Sequence, residues 1–249
     1  MIKLQKFLAD RALAPSRRVA EKWILENKIL VNGKPAVIGQ RVSEKDNICI
    51  DGKITTSQPA SDLKVLIYHK PVGEICSRST NEANNTVFDN LPKLENGRWI
   101  MVGRLDVQSS GLLLFTQSGA LAQRLMHPKY ELNRTYKVRI HGKIPEEVQQ
   151  KLCQGVMLED GLAKFETFKL CQSSKGVNQW LEVSLKEGRN RIVRRMFAHV
   201  NIPLNRLIRL NYGPIVLPRE LEAGRWQYAP RSKATSLCKL VGLHASNKL

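Results

Sequence analysis

The stretch Val102-Gly-Arg-Leu-Asp-Val-Gln-Ser-Ser-Gly-Leu-Leu-Leu-Phe-Thr116 sets two apolar runs on either side of a short polar loop. Leu112 to Phe115 have the length and composition of a strand, and so do Trp99-Ile-Met-Val102 before the loop. Asp106 is the only acid between them. A carboxylate wedged between buried strands must be ionised and paired, or protonated, because a lone buried charge is costly. Two readings stay open on these residues alone. Asp106 is a turn aspartate that accepts backbone N–H groups such as that of Gln108, or it is an acid kept for chemistry.

Outward from this loop the texture of strands continues. Val65-Leu-Ile-Tyr68, Thr135-Tyr-Lys-Val-Arg-Ile140 and Trp180-Leu-Glu-Val-Ser-Leu185 have strand length and β-branched or aromatic content. Helical spacing is confined to residues 121–126, 146–153 and 191–199. Strands outnumber helices without a regular βαβ rhythm, which predicts an α+β domain with a mixed, mainly antiparallel sheet. Tyr136 lies near the start of the alternating run from Arg134 to Arg139, where a tyrosine serves packing or a site. Residues 188–209 hold six arginines (Arg189, Arg191, Arg194, Arg195, Arg206 and Arg209) and no acid. A solvated helix face normally mixes signs, so this window favours a phosphate-binding surface, with arginine's planar fork able to grip two oxygens. One of these arginines can instead turn inward to neutralise a buried aspartate.

The first 60 residues read as a small helical module. Leu4, Phe7, Leu8 and Ala12 form an apolar stripe, and Pro15 ends that helix. Ser16 is placed to cap a second helix, with Val19, Ala20, Trp23 and Ile24 facing inward. Arg17 and Arg18 fall in its first turn, where the helix dipole prefers negative charge, and this marks them as candidate phosphate contacts. Asn32-Gly33 is a hairpin signal. Residues 55–62 read as a linker, residues 61–230 as the main domain and residues 231–249, with four basic residues and no acid, as a loosely ordered basic tail.

Forty Lys and Arg against 22 Asp and Glu leave a net charge of +18 on 249 residues, which calls for a polyanionic partner. The longest apolar runs are far below the ~20 residues that cross a bilayer. The N-terminus has no apolar signal-peptide core, and no recognition-helix arrangement for DNA is apparent. Five cysteines without C-x-x-C spacing argue against a disulfide framework or a metal site and suit a reducing cytoplasm. Nothing in the chain requires more than a monomer.

Gly103-Arg-Leu-Asp106 with Ser110-Gly-Leu-Leu-Leu-Phe-Thr116 resembles the signature of the RNA pseudouridine synthases of the RsuA/RluB/RluE/RluF type. Further matches, in order, are Lys70-Pro71-x-Gly73, Arg134-Thr-Tyr136, Glu187-Gly-Arg-Asn-Arg191 and Arg206-Leu-Ile-Arg209, while the first ~52 residues look like an S4 RNA-binding module. The segments Thr86-Val-Phe-Asp-Asn-Leu-Pro92 and Val177-Asn-Gln-Trp180 look closest to the RluB branch, which modifies large-subunit ribosomal RNA. The resemblance implies an isomerase without metal or organic cofactor. Asp106 matches the family's catalytic aspartate, Tyr136 the tyrosine that stacks on the base, and Arg194 the residue that pairs with the aspartate. Lys70, Arg104, Arg189, Arg191, Arg195, Arg206 and Arg209 join Arg17 and Arg18 as expected RNA contacts. The implied partner is ribosomal RNA or a pre-ribosomal particle. A small-subunit or dual-specificity target, and a non-catalytic assembly factor, are the alternatives. Ile192 departs from the family, whose members generally carry a polar residue there.

Overall fold

The computed structural model describes residues 1–11, 13–55, 64–78, 85–94, 97–171 and 177–243. Ala12 and residues 56–62 of the expected linker lie outside the described residues. Strand β1 (Ile2–Lys3) leads into α1 (Leu4–Asp10), which buries Leu4, Phe7 and Leu8 at i, i+3 and i+4. Ser16 caps α2 (Arg17–Leu25), its hydroxyl accepting from the Val19 N–H at 3.1 Å. Ala20 and Ile24 are buried and Trp23 packs half-buried against the same cluster. Strands β2 (Ile29–Val31) and β3 (Lys34–Pro35) close on Asn32 and Gly33, both at positive φ (52° and 80°), the twist a two-residue hairpin needs. Strand β4 (Arg41–Val42) pairs with β1, and β5 (Ile48–Ile50) and β6 (Lys53–Ile54) extend the hairpin to the order β3-β2-β5-β6.

The second unit runs through β7 (Val65–Lys70), β8 (Ile100–Val102), β9 (Ser110–Thr116), α3 (Gly119–Met126), β10 (Arg134–His141), α4 (Glu146–Gln154), β11 (Val156–Leu158), β12 (Gly161–Ala163), β13 (Thr167–Leu170), β14 (Asn178–Leu185), α5 (Ile192–His199), β15 (Leu204–Tyr212), β16 (Ile215–Val216), β17 (Trp226–Tyr228) and α6 (Arg231–Leu240). The main sheet has the order β13-β14-β10-β15-β9-β7-β17, with β16 on β15 and β8 on β9. Only β15–β9 is parallel, so the sheet is mixed and mainly antiparallel, as the sequence predicts. Two strands share one edge of β9. β15 pairs with its first two residues and β8 with its last three, and the loop carrying Asp106 crosses between them.

Alternation sorts the core. Val65, Ile67, Leu112 and Leu114 face α3 and α6, whereas Leu66, Tyr68, Leu113 and Phe115 face Trp99 and Val87 on the other side. Tyr136, Val138, Leu181, Val183 and Leu207 pack with Val193, Met196 and Phe197 of α5. Two expectations are corrected. Residues 231–243 are no loose tail: Ala234, Leu237, Cys238 and Val241 form an i, i+3, i+4, i+7 stripe buried against the sheet. The run of one-signed charge drew attention from that stripe. The arginine window likewise splits between a helix and the central strand β15, so its arginines do not share one surface.

Candidate active site

The Asp106 loop is clamped from several sides. The carbonyl oxygens of Val107, Gln108 and Ser109 each accept from outside: Val107 from the Gly73 N–H at 2.8 Å, Gln108 from Arg194 Nη2 at 2.9 Å, and Ser109 from Lys70 Nζ at 2.9 Å. Inside the loop the Ser109 N–H donates to the Asp106 carbonyl, closing a turn, and the Leu105 N–H points to Cys76 Sγ. So anchored, the loop presents a partly exposed Asp106 side chain. Its Oδ2 lies 3.5 Å from Arg191 Nη1 and 3.9 Å from Arg194 Nε. The carboxylate is thus ion-paired on one side and open on the other, unlike the backbone-bound turn aspartate that spacing alone allows.

Arg191 reaches it from the N-cap of α5, in a left-handed conformation at φ 49° that is strained for a side chain with a Cβ. Arg194 is more enclosed. Burial and the adjacent Arg191 charge pull its guanidinium below the ordinary value, while Asp106 acts in the opposite direction. The expected aspartate–arginine pair is therefore present, and Arg191 joins it.

These groups stand in a cleft of about 1250 Å³ walled by Tyr136, Leu207, Arg104, Arg134 and the Glu187–Val193 segment. Tyr136 is buried to 7% exposure in β10 and stands beside Arg209 of β15 in register. A row runs across four neighbouring strands here: Lys70, Gly111, Arg209, Tyr136. Gly111 keeps φ 105° and lies so close to Arg209 that a Cβ would stand 2.3 Å from the Arg209 carbonyl oxygen.

One expected RNA contact, Lys70, is corrected by this geometry, and three others already hold partners inside the protein. Lys70 is fully buried, and its ammonium donates to the carbonyls of Pro71 and Ser109. Burial lowers its proton affinity. It is a post under the Asp106 loop. Arg209, 3% exposed, donates from Nε to the Leu112 carbonyl at 2.8 Å and lines the cleft, its Nη2 without a partner among the described residues. Arg189 is spent on Glu187, on both the carbonyl and the carboxylate of Asp160, and on the carbonyls of Gly161 and Leu162. Arg195 grips the two Asp160 oxygens at 2.9 and 2.7 Å. Asp160 is the residue the sequence reading missed. It sits between β11 and β12, some 30 positions before its partners, so no local count of signs could find it.

Arg17, Arg18, Arg104, Arg191 and Arg206 are exposed. Arg104 and Arg191 line the cleft, Arg17 and Arg18 belong to the N-terminal unit, and Arg206 lies on the sheet face turned away from Tyr136. Ile192, the departure from the family pattern, is buried in the α5 core and lines the cleft floor. Among the described residues no group of His, Cys, Asp and Glu could hold a metal ion, and no helix is long and apolar enough to cross a membrane.

Comparison with known proteins points to one family. The family model described as RNA pseudouridylate synthase matches residues 64–199, and the S4 domain model matches residues 2–48. The ribosomal large subunit pseudouridine synthase B of Pseudomonas aeruginosa is 46% identical over 243 residues, 97% of this chain and 63% of that relative. That of Yersinia pestis is 46% identical over 245 residues, 97% of this chain and 76% of the relative. The chain thus spans just under two thirds of the length of the first and about three quarters of the second. The crystal structure of a pseudouridylate synthase superposes with a TM-score of 0.65 at 26% identity, covering 95% of this chain and all of the other.

Proposed function

This chain belongs to the RNA pseudouridylate synthase family, and from that premise we propose that it isomerises a specific uridine of large-subunit ribosomal RNA to pseudouridine. The carrying observation is the open carboxylate of Asp106, flanked by Arg191 and Arg194 at the floor of a cleft walled by Tyr136. Asp106 is the nucleophile, acting at the ribose C1′ or on the uracil ring. The bond from C1′ to N1 breaks, the uracil turns within the cleft, and C1′ is joined to C5. C5 gives up its proton and N1 takes one up, so every atom of uridine is retained and no co-substrate enters. Tyr136 supplies the wall on which the base stacks. A paired base cannot reach a carboxylate at this depth, so the nucleotide is extruded at a cost of roughly a few kcal/mol. Phosphate contacts from Arg17, Arg18 and Arg104 offset that cost.

The large-subunit assignment rests on the names of the relatives and on the branch-like segments 86–92 and 177–180. The chain works as a monomer in the cytoplasm, on ribosomal RNA or an assembling particle. The test is tritium release from C5-tritiated uridine in a large-subunit transcript, run beside a small-subunit transcript and the Asp106→Asn variant. Release from the large-subunit RNA alone, lost in the variant, is the expected result. Release from the small-subunit RNA alone would overturn the substrate assignment. Release that survives Asp106→Asn would overturn the nucleophile.

A further inference from the structure

Strands β13, β14, β10 and β15 turn one face to α5 and the cluster that contains Tyr136, Leu181 and Leu207. On the opposite face, away from Asp106, alternation places Lys169, Glu182, Trp180, Lys137, Arg139 and Arg206. In register, Trp180 opposes Arg139, which opposes Arg206, while Glu182 stands between Lys137 and Lys169. Lys137 Nζ lies 4.9 Å from the centre of the Trp180 ring, and the Arg139 guanidinium carbon 5.7 Å from it. Core tryptophans join apolar clusters; Trp180, half-buried, belongs to none of the clusters formed by the described residues. Four cations share this face with one carboxylate, and none of the four makes a salt bridge among the described residues. Arg139 Nε is shielded from solvent and still without a partner.

We propose that this face is a second RNA-binding surface, which takes an unpaired strand flanking the segment held in the cleft. An antiparallel sheet face with an aromatic ring among cations suits stacking of a splayed base while phosphates meet the neighbouring Lys and Arg. A duplex buries its bases and leaves Trp180 unused, and an acidic peptide uses the charges and leaves the ring uncovered. Cleft and face lie on opposite sides of one sheet, so the bound strand passes its edge at β13. The inference needs RNA as ligand and does not need the isomerase reading.

The probe is an oligoadenylate of about 12 nucleotides, within the usual single-strand site size and without a uridine for the cleft. Its binding to the full chain is followed by anisotropy over a salt series. Trp180→Ala is expected to weaken binding about tenfold, the scale of one lost base stack, and Trp180→Phe to restore most of it. The double change Lys137→Gln with Arg139→Gln is expected to lower the salt slope by about 1.4, the value for two single-strand phosphate contacts. Arg104→Gln, which removes an exposed cation of the cleft, serves as control and should bind the probe as the parent does. Unchanged affinity in Trp180→Ala together with an unchanged salt slope in the double variant would overturn the proposal while leaving the cleft chemistry standing. So would equal weakening by Arg104→Gln, which would place the probe in the cleft. If Trp180→Ala fails to fold, the Phe variant and the surface double variant decide the matter.

Discussion

A Cβ added at Gly111 would stand 2.3 Å from the carbonyl oxygen of Arg209 and 2.6 Å from its nitrogen. Carbon and oxygen rarely approach closer than about 3.3 Å, so Gly111→Ala must part β9 from β15 by about 1 Å. The obstructing atoms are backbone and cannot swing aside. Parting the strands loosens their parallel pairing at Ser110 and Gly111 and stretches the bond from Arg209 Nε to the Leu112 carbonyl. At about 1 kcal/mol for each bond lost and 1–3 kcal/mol for an alanine held at such a φ, the total is roughly 3–6 kcal/mol. Gly73→Ala supplies the control. Gly73 has nearly the same φ, 100°, but nothing within 4 Å of its added Cβ, so it keeps only the dihedral cost. With a urea m-value of about 1–3 kcal/mol per molar, the midpoint should fall by on the order of 2 M for Gly111→Ala and by less than about 1 M for Gly73→Ala. Equal midpoints in the two variants would refute the close approach, and with it the placement of β15 against β9.

Four further outcomes follow from the same geometry. Asp106→Asn should abolish turnover while RNA affinity, measured by filter binding, changes little; parallel loss of both would make Asp106 structural. Lys70 is held below its ordinary proton affinity by burial, so its protonated form is a cost to the folded state that fades as pH rises toward the ordinary value of 10.5. The stability gap between the parent and Lys70→Met should therefore widen through the alkaline range, and a gap that narrows there in denaturant titrations would contradict the burial. The Asp160 carboxyl is held below its ordinary range, first by its hydrogen bond from Arg195, so its contribution is present at neutral pH and lost as pH falls through the lowered value. Asp160→Asn should accordingly melt lower than the parent at pH 7, with the difference closing as pH falls through the lowered value; a difference that does not shrink in acid points to another cause. Leu237→Ala should cost about 2–5 kcal/mol and lower the melting temperature by on the order of 10 °C, whereas an unchanged melt would return residues 231–243 to a loose tail.

The parts legible in the sequence were those with a local signature. Apolar runs of strand length and composition located β7, β9, β10 and β14, and the Ser16 cap and the Asn32-Gly33 turn located the elements of the N-terminal unit, because each is decided by neighbours within a few residues. Strand β15 was hidden because Arg206 and Arg209 interrupt its apolar alternation. Arg209 points to the buried side, where a carbonyl of β9 receives it, and only the assembled sheet provides that carbonyl. Asp106 and Arg194 stood out by composition and by resemblance, but the partnership of Arg191 required the left-handed turn before α5. The internal partners of Lys70, Arg189 and Arg195 are illegible in the sequence for one reason. A cation's partner is chosen by the fold, and carbonyl oxygens, which leave no trace in a count of acids, satisfy buried cations as readily as carboxylates do.

That distinction bears on what the high net charge accomplishes. A cation paired with a carboxylate contributes little field beyond its own neighbourhood, as with Arg195 on Asp160. Lys70 and Arg209 are different: both lie in the row beneath the cleft, and the bonds that hold them run to neutral carbonyls. Those bonds leave their charge in place, offset at Lys70 by the nearby Glu74 and Asp106 carboxylates, and it acts through a poorly hydrated interior where such interactions are strong. The cleft is made positive from below by buried cations and at its rim by the exposed Arg104 and Arg191. A phosphate drawn to this site meets a field set by the fold as well as contacts set by the surface. It follows that the salt dependence of binding counts only the exposed cations that meet phosphate, while the attraction that seats an extruded nucleotide beside Asp106 also depends on side chains the solvent never reaches.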